Sequence, residues 1–330
     1  MTITNLYNKV YNKDFLNNTL PDKCAKLIIA DPPYFEVKGE FDFIWNSFED
    51  YLKDVEKWAI ECKRVLADNG TLFWWGMDRK LAYAQVILDK YFNLIGTPVW
   101  EKPSNPNEWD TRRTFPERAA ERLLMYDNGD DRSGLEMIMA SKDCFKDIKK
   151  YLDNELKKSG YNLTTIKKVL KNQMGSHYFG FSKREKTQFA FPTLEHYNKL
   201  QSTGYFNKKY KELRLEYEEL RLEYEELRLE YEELRRPFNN YLSLTDVFRF
   251  SRENNKYKHD TKKPEKLTRA LILTCSRKND LVVVPFSGSG TECAMAAKED
   301  RNFIGFDIEQ KYVDMANKRI EQHKAQQRLF

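Results

Sequence analysis

Leu27-Ile28-Ile29-Ala30-Asp31-Pro32-Pro33-Tyr34-Phe35 decides how the rest of the chain is read. Residues 26–29 are the end of a buried strand, and Asp-Pro-Pro stops it abruptly. Proline offers no N–H to a strand ladder and fixes φ at about −65°, so two in succession turn the backbone out of the sheet. What remains is a rigid turn carrying a carboxylate, exposed carbonyls and a flat aromatic ring. Ligands of open α/β sheets bind at the C-terminal ends of the strands. A carboxylate and a carbonyl can accept both hydrogens of an exocyclic amine while the ring stacks on the base that bears it. The turn asks for a planar, amino-bearing substrate; the plainer alternative is a surface turn after a core strand.

Working outward, an aromatic loop (Phe41, Phe43, Trp45, Phe48) precedes a helical pattern over 50–66, with Val55, Trp58, Ala59, Cys62 and Val65 on one face. Asp68-Asn69-Gly70 reads as a turn and 71–75 as a strand buried on both faces. A helix at 80–90, a strand at 94–100, a loop with three prolines at 101–117 and a strand at 122–126 follow. Alternation of this kind predicts a mainly parallel sheet covered by helices.

The α/β style returns near the C-terminus. Lys258-His259-Asp260-Thr261-Lys262-Lys263-Pro264 leads into a helix at 265–275. Then come a buried strand (281–284), the turn Pro285-Phe286-Ser287-Gly288-Ser289-Gly290-Thr291, a helix (292–299), a strand (302–305) ending at Asp307, and a last amphipathic helix from 310 to about 323. Strand, glycine loop, helix, strand, acid is a nucleotide-binding layout. Gly288 and Gly290 admit a ligand that a Cβ would repel. Asp307, seventeen residues past Gly290, can accept both hydroxyls of a ribose. The third glycine of the dinucleotide fingerprint and the lysine of a phosphate-binding loop are both missing, which weakens NAD and ATP. An adenosine ligand without a pyrophosphate remains, and S-adenosylmethionine (AdoMet) is the obvious one. A tight turn of an ordinary α/β fold is the alternative.

Between these halves the character changes after Asn128-Gly129-Asp130-Asp131-Arg132-Ser133-Gly134. Residues 141–211 hold sixteen Lys and Arg against six Asp and Glu. Helical patterns at 144–158 and 163–171 flank a turn at Ser159-Gly160, and Met174-Gly175 marks a second turn. With Ser176-His177-Tyr178-Phe179 they suggest a small helix-turn-helix-like unit presenting Lys167, Lys168, Lys171 and His177 to DNA, or else a solvated charged face. Residues 215–235 are three perfect copies of Leu-Glu-Tyr-Glu-Glu-Leu-Arg. Tyr217, Leu220, Tyr224, Leu227, Tyr231 and Leu234 form a stripe of coiled-coil spacing, with Leu215, Leu222 and Leu229 nearly opposite. An acidic helix of this kind would be repelled by phosphate. It reads as a spacer or dimer arm, or as a solvated single helix.

The bulk numbers agree with this division. The 330 residues carry a net charge of +5. The heptads hold nine Glu and three Arg, so the remainder is +11 and favours an anionic partner such as nucleic acid. Five cysteines without a C-x-x-C pair argue for a reducing compartment and against a zinc site or disulfide framework. Neither a signal peptide nor an apolar run of membrane-spanning length is evident, so a soluble, cytoplasmic protein without a membrane partner is expected.

Taken together, Asp31-Pro32-Pro33-Tyr34, Phe286-x-Gly288-x-Gly290 and His259-x-Thr261-x-Lys263-Pro264 resemble the AdoMet-dependent amino-methyltransferases of DNA. Their order, catalytic motif first and cofactor loop late, is similar to the β group. The resemblance implies a Rossmann-like α/β methyltransferase sheet, circularly permuted, with an inserted, mainly helical target-recognition domain. It divides the chain into a catalytic half (1–128), an insertion (129–248, containing the heptad helix at 211–236) and an AdoMet-binding half (249–330). By the same resemblance Asp31 and the Pro32 carbonyl accept the target amine, Pro33 completes the turn and Tyr34 stacks on a flipped base. Asp31, Phe286, Gly288, Gly290 and Thr291 line the AdoMet pocket, Asp307 holds the ribose and Asp14 approaches the adenine. His259, Thr261 and Lys263 close over the cofactor, which leaves as S-adenosylhomocysteine. Trp100-x-Lys102-Pro103 and Pro106 resemble a loop beside the base pocket, which adds Lys102 to the DNA-facing residues. Many members have Asp before Pro285-Phe286, where this chain has Val284.

The expected reaction is N6-adenine methylation of duplex DNA without a metal. N4-cytosine methylation is the nearest alternative, and a non-catalytic DNA-binding scaffold the alternative from another class. A homodimer and a cognate restriction endonuclease are the partners the family brings with it.

Overall fold

The apolar run before the double proline becomes an inner strand. In a computed structural model that describes residues 3–36, 42, 44–102, 120–129, 145–171, 190–240, 242–251 and 263–327, it is β2 (Ala25–Ala30), with Leu27, Ile28, Ile29 and Ala30 all buried. Its neighbours are β1 (Lys9–Asn12), β3 (Leu66–Gly76), β4 (Asn93–Gly96), β5 (Val99–Glu101), β6 (Ala120–Asp127), β7 (Val247–Arg249), β8 (Leu281–Val284) and β9 (Asn302–Asp307). The order across the sheet is β1-β9-β8-β2-β3-β6-β5-β7, with β4 also paired to β6. From β1 to β3 every pairing is parallel; β6 runs antiparallel to β3, β4 and β5. The register Leu27↔Val282 and Ile28↔Val283 makes the ends of β2 and β8 neighbours, although about 250 residues separate them in the chain.

Alternation along the strands sends side chains to two covered faces. Ile28, Leu72, Trp74, Leu124 and Tyr126 pack with α1 (Phe48–Val65) and α2 (Asp78–Leu88) on one side. The buried face of α1 holds the five residues the sequence assigns to it, and the Ser47 hydroxyl caps its start by accepting from the Asp50 N–H at 3.1 Å.

Among the described residues, four further helices belong to the middle of the chain: α3 (Lys146–Ser159), α4 (Leu163–Leu170), α5 (Leu194–Gln201) and α6 (Tyr210–Leu234). Residues of the C-terminal part form α7 (Glu265–Cys275), α8 (Thr291–Lys298) and α9 (Gln310–Gln327). Leu27, Ile29, Phe73, Trp75 and Leu123 pack with residues of these last three on the second face of the sheet.

The chain divides into two compact units, Met1–Asp131 with Arg236–Phe330, and Arg132–Arg235. The second has a core of its own, including Ile148, Leu152, Ile166, Tyr197, Leu200, Phe206 and Leu213. On α6, Tyr217 and Leu220 pack against that core, whereas Leu215, Leu222 and Leu229 are 64%, 68% and 63% exposed. No helix among the described residues is long and apolar enough to cross a membrane.

The structure departs from the sequence reading in three places. Asp68-Asn69-Gly70 is not a separate turn but an irregular stretch inside β3: Ala25 pairs with Leu66 and Leu27 with Thr71, so the extra residues bulge out of the ladder. The single strand expected at 94–100 is split into β4 and β5 around Thr97-Pro98, because Pro98 has no N–H for a ladder. Residues 236–248, placed in the insertion, group with the sheet instead: the Arg236 guanidinium reaches the Thr71 hydroxyl at 3.3 Å, and β7 pairs with β5.

Candidate active site

Everything the sequence singles out near the double proline gathers at the C-terminal ends of β2 and β8. Asp31 follows β2 directly. The turn after it is fixed from several sides. Asp42, 2% exposed, accepts the Tyr34 N–H at 2.5 Å, and its carbonyl accepts the Glu36 N–H at 2.8 Å. From α2 the Lys80 ammonium donates to the Phe35 carbonyl. The Tyr34 hydroxyl donates back to Asp31 Oδ1. Burial first, then the nearby Asp31 carboxylate, pushes the Tyr34 phenol well above its ordinary pKa, so it stays a neutral donor.

Lys263 comes from the far end of the chain and meets this turn. It is 3% exposed, and its ammonium lies 2.7 Å from Asp31 Oδ2 and 3.1 Å from Glu121 Oε2. The indole of Trp75 sits 4.9 Å beneath it, an additional cation–π contact. Burial alone would lower its pKa, but the Asp31 and Glu121 carboxylates outweigh burial and hold Lys263 above an ordinary lysine. Glu121 is the mirror case. Burial would raise it, yet the ammonium groups of Lys263 and Lys102 keep it below the usual carboxylate range. Lys102 donates to Glu121 Oε1 and lies over Trp100 at 5.2 Å. Expected among the DNA-facing residues, it is instead turned inward, its side chain 11% exposed.

Beside this group lies the glycine loop. Ser287 N–H donates to the Phe306 carbonyl at 2.8 Å, and Gly290 N–H to the Ser287 carbonyl at 2.7 Å. Gly290 has φ +73°, and a Cβ there would stand 2.5 Å from Ala316 Cβ on α9. Only glycine lets the loop and α9 approach this closely. Asp307, at the end of β9, accepts the Gly288 N–H at 2.9 Å and the Glu309 N–H at 2.9 Å, one on each oxygen. Each oxygen keeps a further lone pair for a ligand hydroxyl, and burial raises the Asp307 pKa. The register Asn12↔Asp307 brings Asp14 to the same edge, where it caps a short helix by accepting the Leu16 N–H at 2.9 Å. Phe286 packs edge-on against Trp58 at 4.9 Å.

Behind the loop, fully buried Arg319 of α9 donates to the Thr291 hydroxyl at 2.7 Å, the Ser289 carbonyl at 3.2 Å and Glu265 at 2.5 Å. Thr291, expected to line the pocket, is 1% exposed and engaged by this arginine. Val284 is 1% exposed within the apolar cluster, so packing fills the position where many family members carry an acid.

The structure therefore brings together Asp31, Pro32, Pro33, Tyr34 and Lys263, and beside them Phe286, Gly288, Gly290, Thr291, Asp307 and Asp14. Lys167, Lys168 and Lys171 lie in and just after α4 in the helical unit, Lys168 and Lys171 exposed. His259, Thr261 and His177 lie outside the described residues. Sequence reading missed Glu121, Asp42 and Arg319. Glu121 stands in an ordinary strand pattern, and Arg319 in an amphipathic helix, where a charged residue signals only a solvated face. Among the described residues, no group of three or more His, Cys, Asp or Glu could hold a metal ion.

The donor set suits an adenosine ligand. The Ser287 hydroxyl is buried in the loop without a hydrogen-bond partner, next to the Asp307 carboxylate.

Comparison with known proteins gives this geometry a family. A model of the N6/N4 methyltransferases, described as DNA methylase, matches residues 25–318. The chain is similar to the type II methyltransferase M.HinfI of Haemophilus influenzae, 25% identical over 325 residues, covering 93% of this chain and 66% of that protein. It spans just under two-thirds of that relative's length. It is also similar to the type II methyltransferase M2.MboI of Moraxella bovis, 22% identical, covering 94% of this chain and 85% of the relative. Among solved structures, TTHA0409 of Thermus thermophilus, complexed with S-adenosyl-L-methionine, superposes with a TM-score of 0.51 at 17% identity over 96% of this chain and 95% of its own. The cytosine-N4-specific PvuII DNA methyltransferase superposes with a TM-score of 0.51 at 14% identity over 96% and 89%.

Proposed function

The chain belongs to the N6/N4 DNA methylase family, and from that premise we propose that it transfers a methyl group from AdoMet to the N6 amine of an adenine flipped out of duplex DNA. One observation carries the reading: Asp31 at the end of β2 adjoins the glycine loop at the end of β8, two strands hydrogen-bonded in parallel. A donor held by the loop and an amine held by the carboxylate would face each other.

When bound, AdoMet supplies an electrophilic methyl on a sulfonium, whose C–S electron pair returns to sulfur as the amine lone pair forms the new N–C bond. The chain's own residues make the amine able to attack. An adenine amine is a weak nucleophile because its lone pair is conjugated with the ring. Asp31 accepts one N–H and the Pro32 carbonyl the other, which turns the lone pair away from the ring and holds it in line. The surplus proton leaves along the hydrogen bond to Asp31. Asp307 and Ser287 take the ribose side of the donor, with Phe286, Gly288 and Gly290 lining its pocket and Asp14 near its adenine. A base inside a duplex cannot reach this turn, so it flips out at a cost of about a few kcal/mol. Stacking on Tyr34 offsets that cost, and since this ring is only 9% exposed the incoming base must uncover it. Lys167, Lys168 and Lys171 supply phosphate contacts.

Adenine is favoured over cytosine by Asp rather than Ser at position 31, by resemblance to the adenine-directed members of the family. Genomic DNA treated with the purified protein and AdoMet, then read by single-molecule sequencing, should show N6-methyladenine in one short sequence context. N4-methylcytosine would reverse the choice of base, and an absence of new marks would overturn the enzyme reading. Asp31→Ala should bind AdoMet in calorimetry yet lose transfer by roughly a thousandfold or more.

A further inference from the structure

We propose that Glu121 is a positioning residue for methyl transfer, acting through Lys263; this rests on the function proposed above. Glu121 sits on β6, two strands from β2, and is not part of the double-proline turn or the glycine loop. The Lys263 ammonium is nearly equidistant from two carboxylates, 2.7 Å to Asp31 Oδ2 and 3.1 Å to Glu121 Oε2. Lys102 completes the group on the far side of Glu121. Two acids and two ammonium groups thus form a chain from Asp31 through Lys263 and Glu121 to Lys102. Its last three members, Lys263, Glu121 and Lys102, have side chains 3%, 13% and 11% exposed.

The reaction gives this arrangement a consequence. Positive charge moves from the methyl donor to the amine nitrogen, which is held against Asp31. A carboxylate stabilises that developing charge only as far as its own charge is not already cancelled by a neighbour. An ammonium belonging to Asp31 alone would both cancel it and occupy its oxygen. Glu121 takes a share of Lys263, and the Asp31 carboxylate is left with charge and lone-pair capacity for the substrate amine. Lys102 holds Glu121 in place and keeps the whole group neutral in its buried site.

The test compares wild type, Glu121→Gln, Glu121→Asp and the double variant Glu121→Gln with Lys102→Met on duplex DNA. AdoMet affinity by calorimetry and thermal midpoint are measured on the same preparations. Loss of one charged partner should lower kcat roughly 10- to 100-fold in Glu121→Gln, with KM for DNA and AdoMet affinity changed by less than about threefold. Glu121→Asp, which keeps the charge, should recover most of kcat. The double variant should stay slow, since Lys263 then still belongs to Asp31 alone. It also removes the cation orphaned by Glu121→Gln, and it carries the test if the single variant does not fold. Wild-type kcat in Glu121→Gln, or restoration of kcat by Lys102→Met, would overturn the inference. A wild-type protein that binds AdoMet but methylates nothing would instead overturn the function on which it rests.

Discussion

The two units place their charged groups in opposite ways. In the sheet unit the charges that shape the site are buried: Lys263 between Asp31 and Glu121, and Arg319 behind the glycine loop. In the helical unit most of the described charges lie on the surface, with Glu155 the buried exception, where it accepts the Phe206 N–H at 3.0 Å. Along α6 the arginine of each repeat pairs with the glutamate three residues before it, at 3.3, 3.2 and 2.5 Å, with both partners accessible. Exposed pairs of this kind contribute about 0–1 kcal/mol. Breaking a buried pair leaves an uncompensated charge and costs several times more. The sheet unit is thus built around few replaceable parts, while the helical unit tolerates copying.

The largest test of that contrast removes one lysine from each unit. Lys263→Ala takes the ammonium from Asp31 and leaves Glu121 with Lys102 alone, and should cost about 3–5 kcal/mol in denaturant unfolding. Lys168→Ala, on exposed α4, should stay within about 0.5 kcal/mol. Equal losses would mean that burial does not distinguish the two sites.

Two glycines sharpen it next. Gly290 and Gly160 both have left-handed backbones, φ +73° and +66°, but a Cβ at Gly290 meets Ala316 at 2.5 Å while one at Gly160 has nothing within 4 Å. Gly290→Ala combines strain with overpacking and should cost about 3–4 kcal/mol. Gly160→Ala carries the conformational strain alone, about 1 kcal/mol. Urea midpoints of the two variants give the comparison directly.

A third effect depends on pH. Glu292, 7% exposed at the start of α8, has its pKa raised to about 7, first by burial and then by the Asp31 charge. The unfolded chain releases this proton near the ordinary glutamate value, before the native state does. Native stability therefore falls as pH rises from about 4.5 to about 7 and levels off above. Glu292→Gln should remove that loss, gaining up to about 3 kcal/mol at pH 8 and nothing near pH 4. Thermal midpoints of both proteins across this range are the measurement. A gap that does not widen with pH would show that the native protein ionises Glu292 as readily as the unfolded chain does.

Much of the candidate site was legible in the sequence because its residues sit in contiguous motifs. Asp31 announces itself by two prolines and Asp307 by a glycine loop at a fixed distance, and the ends of β2 and β8 do lie side by side. Glu121 and Arg319 were not legible, because their meaning comes from partners 142 and 28 residues away, Lys263 and Thr291. No local pattern separates a charge that will be buried from one that will be solvated. The same limit explains Lys102, whose neighbours in sequence suggested a DNA-facing loop and whose partner is Glu121. In the fold, the bulge at Asp68-Asn69-Gly70 was hidden because a turn signal within a strand and a turn between strands use the same residues.

The smallest effects should come from the heptads, and they test whether copying is harmless. Leu213 is fully buried in the helical core, while Leu222 is 68% exposed. Leu213→Ala should cost about 2–5 kcal/mol and Leu222→Ala less than about 0.5. Deleting residues 222–228 removes close to two helical turns, about 10.5 Å, so every later residue keeps its face. Tyr231 then takes the place of Tyr224, whose ring lies 5.8 Å from Phe145, and stability should again change by less than about 0.5 kcal/mol. Deleting Glu219 alone rotates everything after it by about 100°. Leu220 then leaves the core and Tyr224 its place beside Phe145, and the cost should reach about 2 kcal/mol or more. If the seven-residue deletion costs as much as the single one in denaturant melts of the full chain, the exposed leucines are covered in solution and α6 is a docking arm, not a spacer.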